Sequence, residues 1–278
     1  VHEDKLADSV SAYNSSSQLT SNFAVTAMVK QGVDPAKVEA ILDEELQRLL
    51  KDGPTADELA QAKTVFRARF IRGIERIGGF GGKADILAGC EIYEGNPGCY
   101  RDTLATVADA TPAQVRDIGR KWLGHPSHTF VVMPGKRTAL AEESSVKPAP
   151  MVLPAVDPKY TTEPSSVDRS KGVPAVTTFP ALKFPALQRA TLANGSTLIL
   201  AERHDIPVVQ MSYEFKGGYA SDPHGKLGTA SFAMGMLDEG AGDLDSLAFK
   251  GKAESLGAQV GAGASLDGAN AYLSSLKE

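Results

Sequence analysis

The sequence lacks both an excess of basic charge and any long apolar run. Its 278 residues include 29 Lys and Arg against 34 Asp and Glu, a formal net charge of −5. This balance gives no electrostatic footprint for nucleic acid or for an anionic membrane. No apolar run approaches the roughly 20 residues that cross a bilayer. With 42% hydrophobic and 23% charged residues, the composition is that of a soluble globular protein with no nucleic-acid or membrane partner.

Cysteine is also scarce, since the chain has only Cys90 and Cys99, in "GCEIYEGNPGC". The intervening "EGNP" is turn-like, so the two thiols could meet in a short closed loop. A disulfide would suit an exported protein, and two free thiols are the equal alternative. No third cysteine or nearby histidine supports a zinc knuckle.

Familiar catalytic patterns are incomplete. No G-x-S-x-G elbow is present. "IGGFGGKADI" resembles a phosphate loop, but Ile77 stands at the position of the first glycine and Ala84 at that of the hydroxyl residue. We therefore expect a helix–helix joint there. His125 and His128 lie three residues apart, but Pro126 predicts a solvated loop and no metal site.

The first block, residues 1–135, predicts strands, then helices, then a strand. "SVSAYNSS" and "SNFAVTAMVK" are β-leaning. Asp34 and Gly53 are expected to cap and end the first helix, and capping boxes begin at Thr55 and Thr111. "HTFVVMPG" (128–135) predicts a short buried strand. The last helix is expected to present inward Val115, Ile118, Trp122 and Leu123.

Residues 136–186 predict a linker, because eight of the chain's 16 prolines lie between Pro148 and Pro185. The second block, 187–278, begins with a hairpin in which Asn194-Gly195 is expected to supply the positive φ angles. A strand, a helix over about 226–237, a helix over about 244–256 and two more strands follow. The pattern predicts an α+β fold.

Several phrases of the second block resemble the pitrilysin/insulinase family of zinc metallopeptidases. They are "LANGSTLILAERHDIPVVQMSYEFKGGYASDPHGKLGTA" and "DSLAFKGKAESLGAQV". In the first block, "VEAILDEELQRLLKDGPTADELAQAK" and "TPAQVRDIGRKWLGHPSHTFVVMP" are similar to the end of a preceding family unit. The resemblance implies α+β units of antiparallel sheet packed with helices, two per half-enzyme, with two halves that close around a peptide.

This resemblance implies the following domain organisation. Residues 1–135 would be the C-terminal part of one unit, 136–186 the proline-rich linker between halves, and 187–278 the N-terminal part of a second unit. The chain starts at Val1 without methionine and stops at "LSSLKE", so we expect an internal segment of a longer protein. Asp8 stands about where the non-catalytic half of the family has a substrate-binding tyrosine, so the first block does not resemble that half.

The family's zinc motif, H-x-x-E-H, falls in this sequence at Ser231, Met234 and Gly235. The motif needs two histidines on one helical face and a glutamate that activates water. Serine is a poor zinc ligand, methionine cannot accept the proton, and glycine has no side chain. The resemblance thus implies zinc in the parent protein and none in this segment. Asp238 and Glu239, which follow, are expected to be solvated cap or turn residues.

The resemblance therefore implies a non-catalytic segment of a bacterial zinc-dependent endopeptidase, which forms part of a chamber wall and binds peptide. Its partners would be a peptide or protein substrate and the remaining half of the clamshell or a paired subunit. Localisation would be periplasmic or otherwise exported. Two alternatives stay open: a structural or assembly subunit on the same fold, and a processing-peptidase partner subunit.

Overall fold

The computed structural model describes residues 1–136, 151–159, 161, 168–173, 175, 177–179, 181 and 183–277. By packing, one compact unit combines Val1–Phe130 with Arg203–Glu278, and a second comprises Val131–Glu202. Helices and antiparallel sheets together confirm the predicted α+β class. The predicted domain boundaries stay predictions. No described helix is long and apolar enough to cross a membrane.

The first block folds as a two-stranded sheet followed by five helices. Strand β1 pairs antiparallel with β2, with an irregularity between Ala7 and Ser9. The helices are numbered in chain order and begin after the sheet. The bounds are β1 (Ala7–Ser16), β2 (Ser21–Val29), α1 (Pro35–Asp52), α2 (Ala56–Gly73), α3 (Lys83–Glu94), α4 (Tyr100–Asp109) and α5 (Pro112–Leu123).

The helix ends form as their sequences predict. Asp34 accepts the backbone N–H of Ala36 at 3.0 Å at the start of α1, and Gly53, with φ 78°, ends that helix. Thr55 and Glu58 form a reciprocal capping box at α2, in which the backbone N–H of Thr55 lies 2.7 Å from the Glu58 carboxylate. This hydrogen bond lowers the pKa of Glu58. A second capping box, at Thr111, begins α5.

Two expectations for the end of the first block are wrong. Residues 128–135 form no strand, and the side chains of Phe130 and Val132 are 81% and 79% exposed. An apolar β-branched run forms a strand only where a neighbour completes its hydrogen-bond ladder, and no described strand pairs with it. Of the four residues expected to face inward on α5, Ile118 and Trp122 are 59% and 66% exposed, whereas Val115 and Leu123 are half-buried.

The orientation of α5 explains this exposure. A Cβ at Gly119 would lie 3.1 Å from the Leu50 side chain, so α5 meets α1 through its small residue. Arg120 donates hydrogen bonds to the carbonyls of Leu50 and Lys51 in the last turn of α1. With Gly119 and Arg120 against α1, Ile118 and Trp122 lie on the side of α5 that faces away from α1.

The second packing unit contains one hairpin, β3 (Leu187–Thr191) with β4 (Thr197–Ala201). Only Gly195 of the predicted Asn-Gly pair has a positive φ, at 84°. The expectation that Asn194 also adopts one is wrong, because the loop closes by a hydrogen bond from the Gly195 N–H to the Leu192 carbonyl at 2.9 Å. Within the predicted linker, 136–186, the described residues form no helix or strand, and the others lie outside the described residues.

The remaining chain forms a three-stranded antiparallel sheet with two helices. In this sheet, β9 (Gly268–Leu276) lies between β5 (Val208–Lys216) and β8 (Gln259–Ala264). The elements are β5 (Val208–Lys216), α6 (Thr229–Gly235), β6 (Gly240–Ala241), β7 (Leu244–Asp245), α7 (Ser246–Ser255), β8 (Gln259–Ala264) and β9 (Gly268–Leu276). Both helices are shorter than predicted. Gly228 has a φ of 92°, outside helical geometry, so α6 begins only at Thr229, and Asp245 caps α7.

The β8–β9 turn packs against the chain that leaves β5. Tyr219 donates its N–H to the Ser265 carbonyl at 2.9 Å, and Ala220 donates to that of Leu266 at 2.9 Å. A Cβ at Gly218 would lie 2.1 Å from the Ser265 oxygen and 2.7 Å from the Gly268 nitrogen. Only glycine fits between these backbone groups.

We predict that Gly218→Ala destabilises the protein by about 1–3 kcal/mol or more, because the added methyl group overlaps backbone atoms. Gly89→Ala is the matched control, since a Cβ at Gly89, inside α3, meets nothing within 4 Å. That change should stabilise by about 0.5–1 kcal/mol. Urea unfolding of both variants measures the difference. Equal stability of the two variants would contradict this close approach.

Candidate functional site

Helix α6 contains Ser231, Met234 and Gly235, the three positions at which the family resemblance predicts the zinc motif. Ser231 and Gly235 are exposed and Met234 is half-buried. The helix begins where the Asp222 carboxylate accepts two backbone N–H groups, from Gly228 at 2.7 Å and Ala230 at 2.9 Å. A Cβ at Gly235 would meet nothing within 4 Å, so there is room for a larger side chain.

The donor set of α6 does not fit zinc. A hydroxyl, a thioether and a hydrogen supply none of the imidazole, thiolate or carboxylate ligands that Zn²⁺ takes. Within the described part of the chain, no three His, Cys, Asp or Glu side chains form a group that could hold a metal. Beyond α6, Asp238 is half-buried and Glu239 is exposed. The assignment of these positions to a lost zinc site stays a prediction.

The other sequence motifs lie apart from α6. His125 and His128 are exposed on an irregular segment, as the proline between them predicts. The glycine-rich phrase joins α2 to α3, as predicted. A Cβ at Gly82 would lie 2.5 Å from the Gly78 oxygen, so the turn requires close backbone approach.

Cys90 and Cys99 are joined as a disulfide, with their sulfurs 2.02 Å apart. Cys90 lies in the last turns of α3 and is buried, and Cys99 immediately precedes α4. The bridge closes the loop between the two helices. Whether the thiols are oxidised in the cell stays a prediction.

A cleft beside strand β8 was missed by the sequence interpretation. Its volume is about 360 Å³, and it lies between α7 and the β8 end of the sheet. Apolar and charged groups share its lining, which comprises Asp238, Phe249, Lys250, Ala253, Glu254, Ala258, Gln259, Val260 and Tyr272. In the described residues β8 pairs only with β9 and forms an edge of its sheet.

Tyr272 shapes the sheet at this cleft. It lies directly opposite Gly261 in the β8–β9 register, and a Cβ at Gly261 would lie 2.6 Å from the tyrosine oxygen. The aromatic ring thus covers the strand glycine, an arrangement that compensates for a missing side chain. Glycines at alternate positions of β8 could have indicated this pairing from sequence.

The comparisons with known proteins bear on the first block. Residues 1–66 match the family model described as the peptidase M16 inactive domain. This match confirms the recognition of the pitrilysin/insulinase family from sequence. No curated protein matches the chain.

Two solved structures are similar to this chain. One is a crystal structure of a peptidase M16 inactive domain from Pseudomonas fluorescens, 32% identical over 33% of this chain, with a TM-score of 0.32. The other is the periplasmic protease PqqL from Escherichia coli, 13% identical over 99% of this chain, with a TM-score of 0.33. This chain spans 22% and 32% of the lengths of those chains.

We predict that the purified chain holds no stoichiometric zinc, because α6 offers no ligand at the three motif positions. The variant Ser231→His with Gly235→His should gain zinc binding, since two imidazoles four apart on a helix reach one metal. Metal analysis after dialysis, with titration against a colorimetric chelator, measures both. One tightly held zinc per unmodified chain would overturn the assignment.

Proposed function

We propose that this chain is a non-catalytic part of an insulinase-like, zinc-dependent endopeptidase. The M16 inactive-domain match over residues 1–66 supports the family, and the residues at Ser231, Met234 and Gly235 support the absence of chemistry at α6. In this proposal the zinc is bound elsewhere in the larger protein. The chain contributes to the wall of a chamber and helps to hold an extended peptide.

The proposal that the chain binds peptide rests on the edge position of β8. An edge strand presents backbone N–H and C=O groups that an extended chain can pair with. Pairing through the backbone gives affinity with little demand on the peptide sequence, which suits a protein that handles varied peptides. In the described residues, β9 occupies one side of β8 and leaves the other side for such a strand.

The cleft beside this edge supplies side-chain contacts. Phe249 and Tyr272 offer apolar surface, while Lys250 and Glu254 bring one charge of each sign. Side chains of an added strand alternate between faces, so alternate residues of the peptide would meet the cleft. We expect an aliphatic or aromatic peptide side chain there, because burial of apolar surface supplies most of the favourable free energy.

The proposed partners follow from the same arrangement. Because M16 units work in pairs, the remaining half of the protein or a paired subunit would close the chamber over the peptide. Closure would exclude water and select substrates by size. A structural or assembly role on the same fold predicts no peptide binding, and a processing-partner role predicts binding only together with a zinc-bearing subunit.

We predict that the chain binds a fluorescein-labelled peptide in which threonine alternates with valine and phenylalanine between terminal lysines. Phe249→Ala should weaken binding by about 5–30-fold, the equivalent of about 1–2 kcal/mol of lost apolar contact. Leu247→Ala, on the same helix but outside the cleft, should leave affinity unchanged. Fluorescence anisotropy measures each dissociation constant.

The control peptide carries N-methyl groups on alternate backbone nitrogens, which remove donors while keeping the side chains. It should bind at least about tenfold more weakly, because edge pairing depends on backbone hydrogen bonds. Equal affinity for both peptides would rule out pairing at β8. Neither peptide should be cleaved by the chain alone, and chelator-sensitive cleavage would contradict the non-catalytic assignment.

We also propose an exported, periplasmic location. The support is the approach of Cys90 and Cys99 in a disulfide arrangement, since such bonds persist in oxidising compartments.

We predict that alkylation without reduction labels neither Cys90 nor Cys99 in protein purified from an oxidising compartment. Reduction should lower the free energy of unfolding by about 2–3 kcal/mol, the loop-closure value for cysteines separated by 9 residues. Cys90→Ala with Cys99→Ala is the matched variant and should lose similar stability without responding to reductant. Mass spectrometry and urea unfolding provide the two measurements, and full labelling would contradict a disulfide.

A further inference from the structure

Helix α2 contacts the turn that leads into β8, although the two are far apart in sequence. Ala68 of α2 is completely buried. A Cβ at Gly257 would lie 3.0 Å from the Ala68 Cβ and 3.3 Å from the Thr64 methyl group. Gly257 also has a φ of 59°, in the left-handed region that favours glycine. Small residues on both sides therefore allow a close approach.

Arg72, one helical turn after Ala68, supplies the polar part of this contact. Its guanidinium donates to the Ser274 hydroxyl at 3.1 Å, to the Ser274 carbonyl at 3.1 Å and to the Gly257 carbonyl. In the described residues no carboxylate pairs with it, and burial lowers the pKa of Arg72. A charged donor shared among neutral acceptors forms stronger hydrogen bonds than a neutral donor would.

The groups that accept hydrogen bonds from Arg72 belong to residues near Gln259, the first residue of β8. Gly257 precedes Gln259 by two residues, and Ser274 of β9 is the direct partner of Gln259 in the sheet. A second hydrogen bond, from Gln61 of α2 to Glu254 of α7, lies nearby, and Glu254 lines the cleft. One helix thus holds both the turn and the strand partner that determine where β8 begins.

We propose that Arg72 is a positioning residue for the β8 edge. By holding the Gly257 turn and the Ser274 backbone together, it keeps the first pair of the β8–β9 ladder closed and the outer edge of β8 in place. Peptide capture at that edge then depends on the docking of α2. The consequence for peptide rests on the proposed function, but the ordering of β8 does not.

The chemistry of the guanidinium suits this role. Its planar fork presents five donors in fixed directions, so one side chain can reach two carbonyls and a hydroxyl on two segments at once. A lysine ammonium is a compact, more strongly hydrated charge on a flexible stem. Arg72→Lys should therefore keep the charge but not the ordering.

Hydrogen–deuterium exchange of the full chain tests the ordering directly. Arg72→Ala and Arg72→Lys should each speed exchange over residues 254–264 by at least about tenfold, because local opening loses its charged hydrogen bonds. The exposed Arg69 on the same helix provides the control, Arg69→Ala, which should change nothing. Exchange of β1 and β2 should stay at its wild-type rate in all variants.

Unchanged exchange over residues 254–264 in Arg72→Ala would overturn the proposal. A uniform increase that includes β1 and β2 would also overturn it, since it would indicate general destabilisation. If Arg72→Ala does not fold, Ser274→Ala is the deciding variant. It removes the hydroxyl that accepts a hydrogen bond from Arg72 and keeps the positive charge of Arg72. Faster exchange confined to residues 254–264 supports positioning, and wild-type exchange contradicts it.

The labelled threonine–valine–phenylalanine peptide separates the two proposals. If it binds the wild-type chain, Arg72→Ala should weaken binding at least about fivefold. If Arg72→Ala exchanges faster at β8 but binds the peptide with wild-type affinity, peptide capture does not depend on the docking of α2. The proposed function would then be unaffected. No binding to the wild-type chain would sink the proposed function, while the exchange data would still decide the role of Arg72.

Discussion

The contact between α2 and the segment around β8 joins two parts of the chain that a proline-rich stretch separates. Residues before that stretch supply Ala68 and Arg72, and residues after it supply Gly257 and Ser274. Few side chains are fully buried in the described residues, so a small number of close contacts holds these segments together. The Arg72 guanidinium makes one of these contacts, because it donates to the backbone carbonyls of Gly257 and Ser274, which lie on two different segments.

Glycines also allow close approaches in and around the β5-β9-β8 sheet. Gly218 lets the β8–β9 turn pack against the chain that leaves β5, and Gly257 lets α2 approach closely. Gly261 lies under the ring of Tyr272. Each glycine removes a side chain where two backbones or a ring must approach. Helix α6 is supported in a similarly local way, by the carboxylate of Asp222 at its first turn. None of these contacts depends on a metal ligand on α6.

Local chemistry made part of this structure predictable from sequence. The caps at Asp34, Thr55 and Thr111 depend on side chains and N–H groups within three residues, so their patterns were sufficient. The strand expected at 128–135 and the inward faces of Ile118 and Trp122 depended on neighbours that sequence periodicity does not identify. The cleft at β8 and the role of Arg72 were missed for the same reason, because their residues come from distant parts of the chain. The placement of the zinc motif at Ser231, Met234 and Gly235 rests on family resemblance alone and stays a prediction, since these three side chains do not themselves indicate a metal site.

We propose that the sheet beside α6, a helix without zinc ligands at its three predicted motif positions, binds an extended peptide at the edge strand β8. Chemical-shift mapping by NMR tests it most directly, with isotope-labelled chain titrated with the unlabelled threonine–valine–phenylalanine peptide. The account predicts saturable shifts along Gln259–Ala264 and at Phe249 and Tyr272. Shifts absent from β8, or centred on another sheet edge, would contradict it.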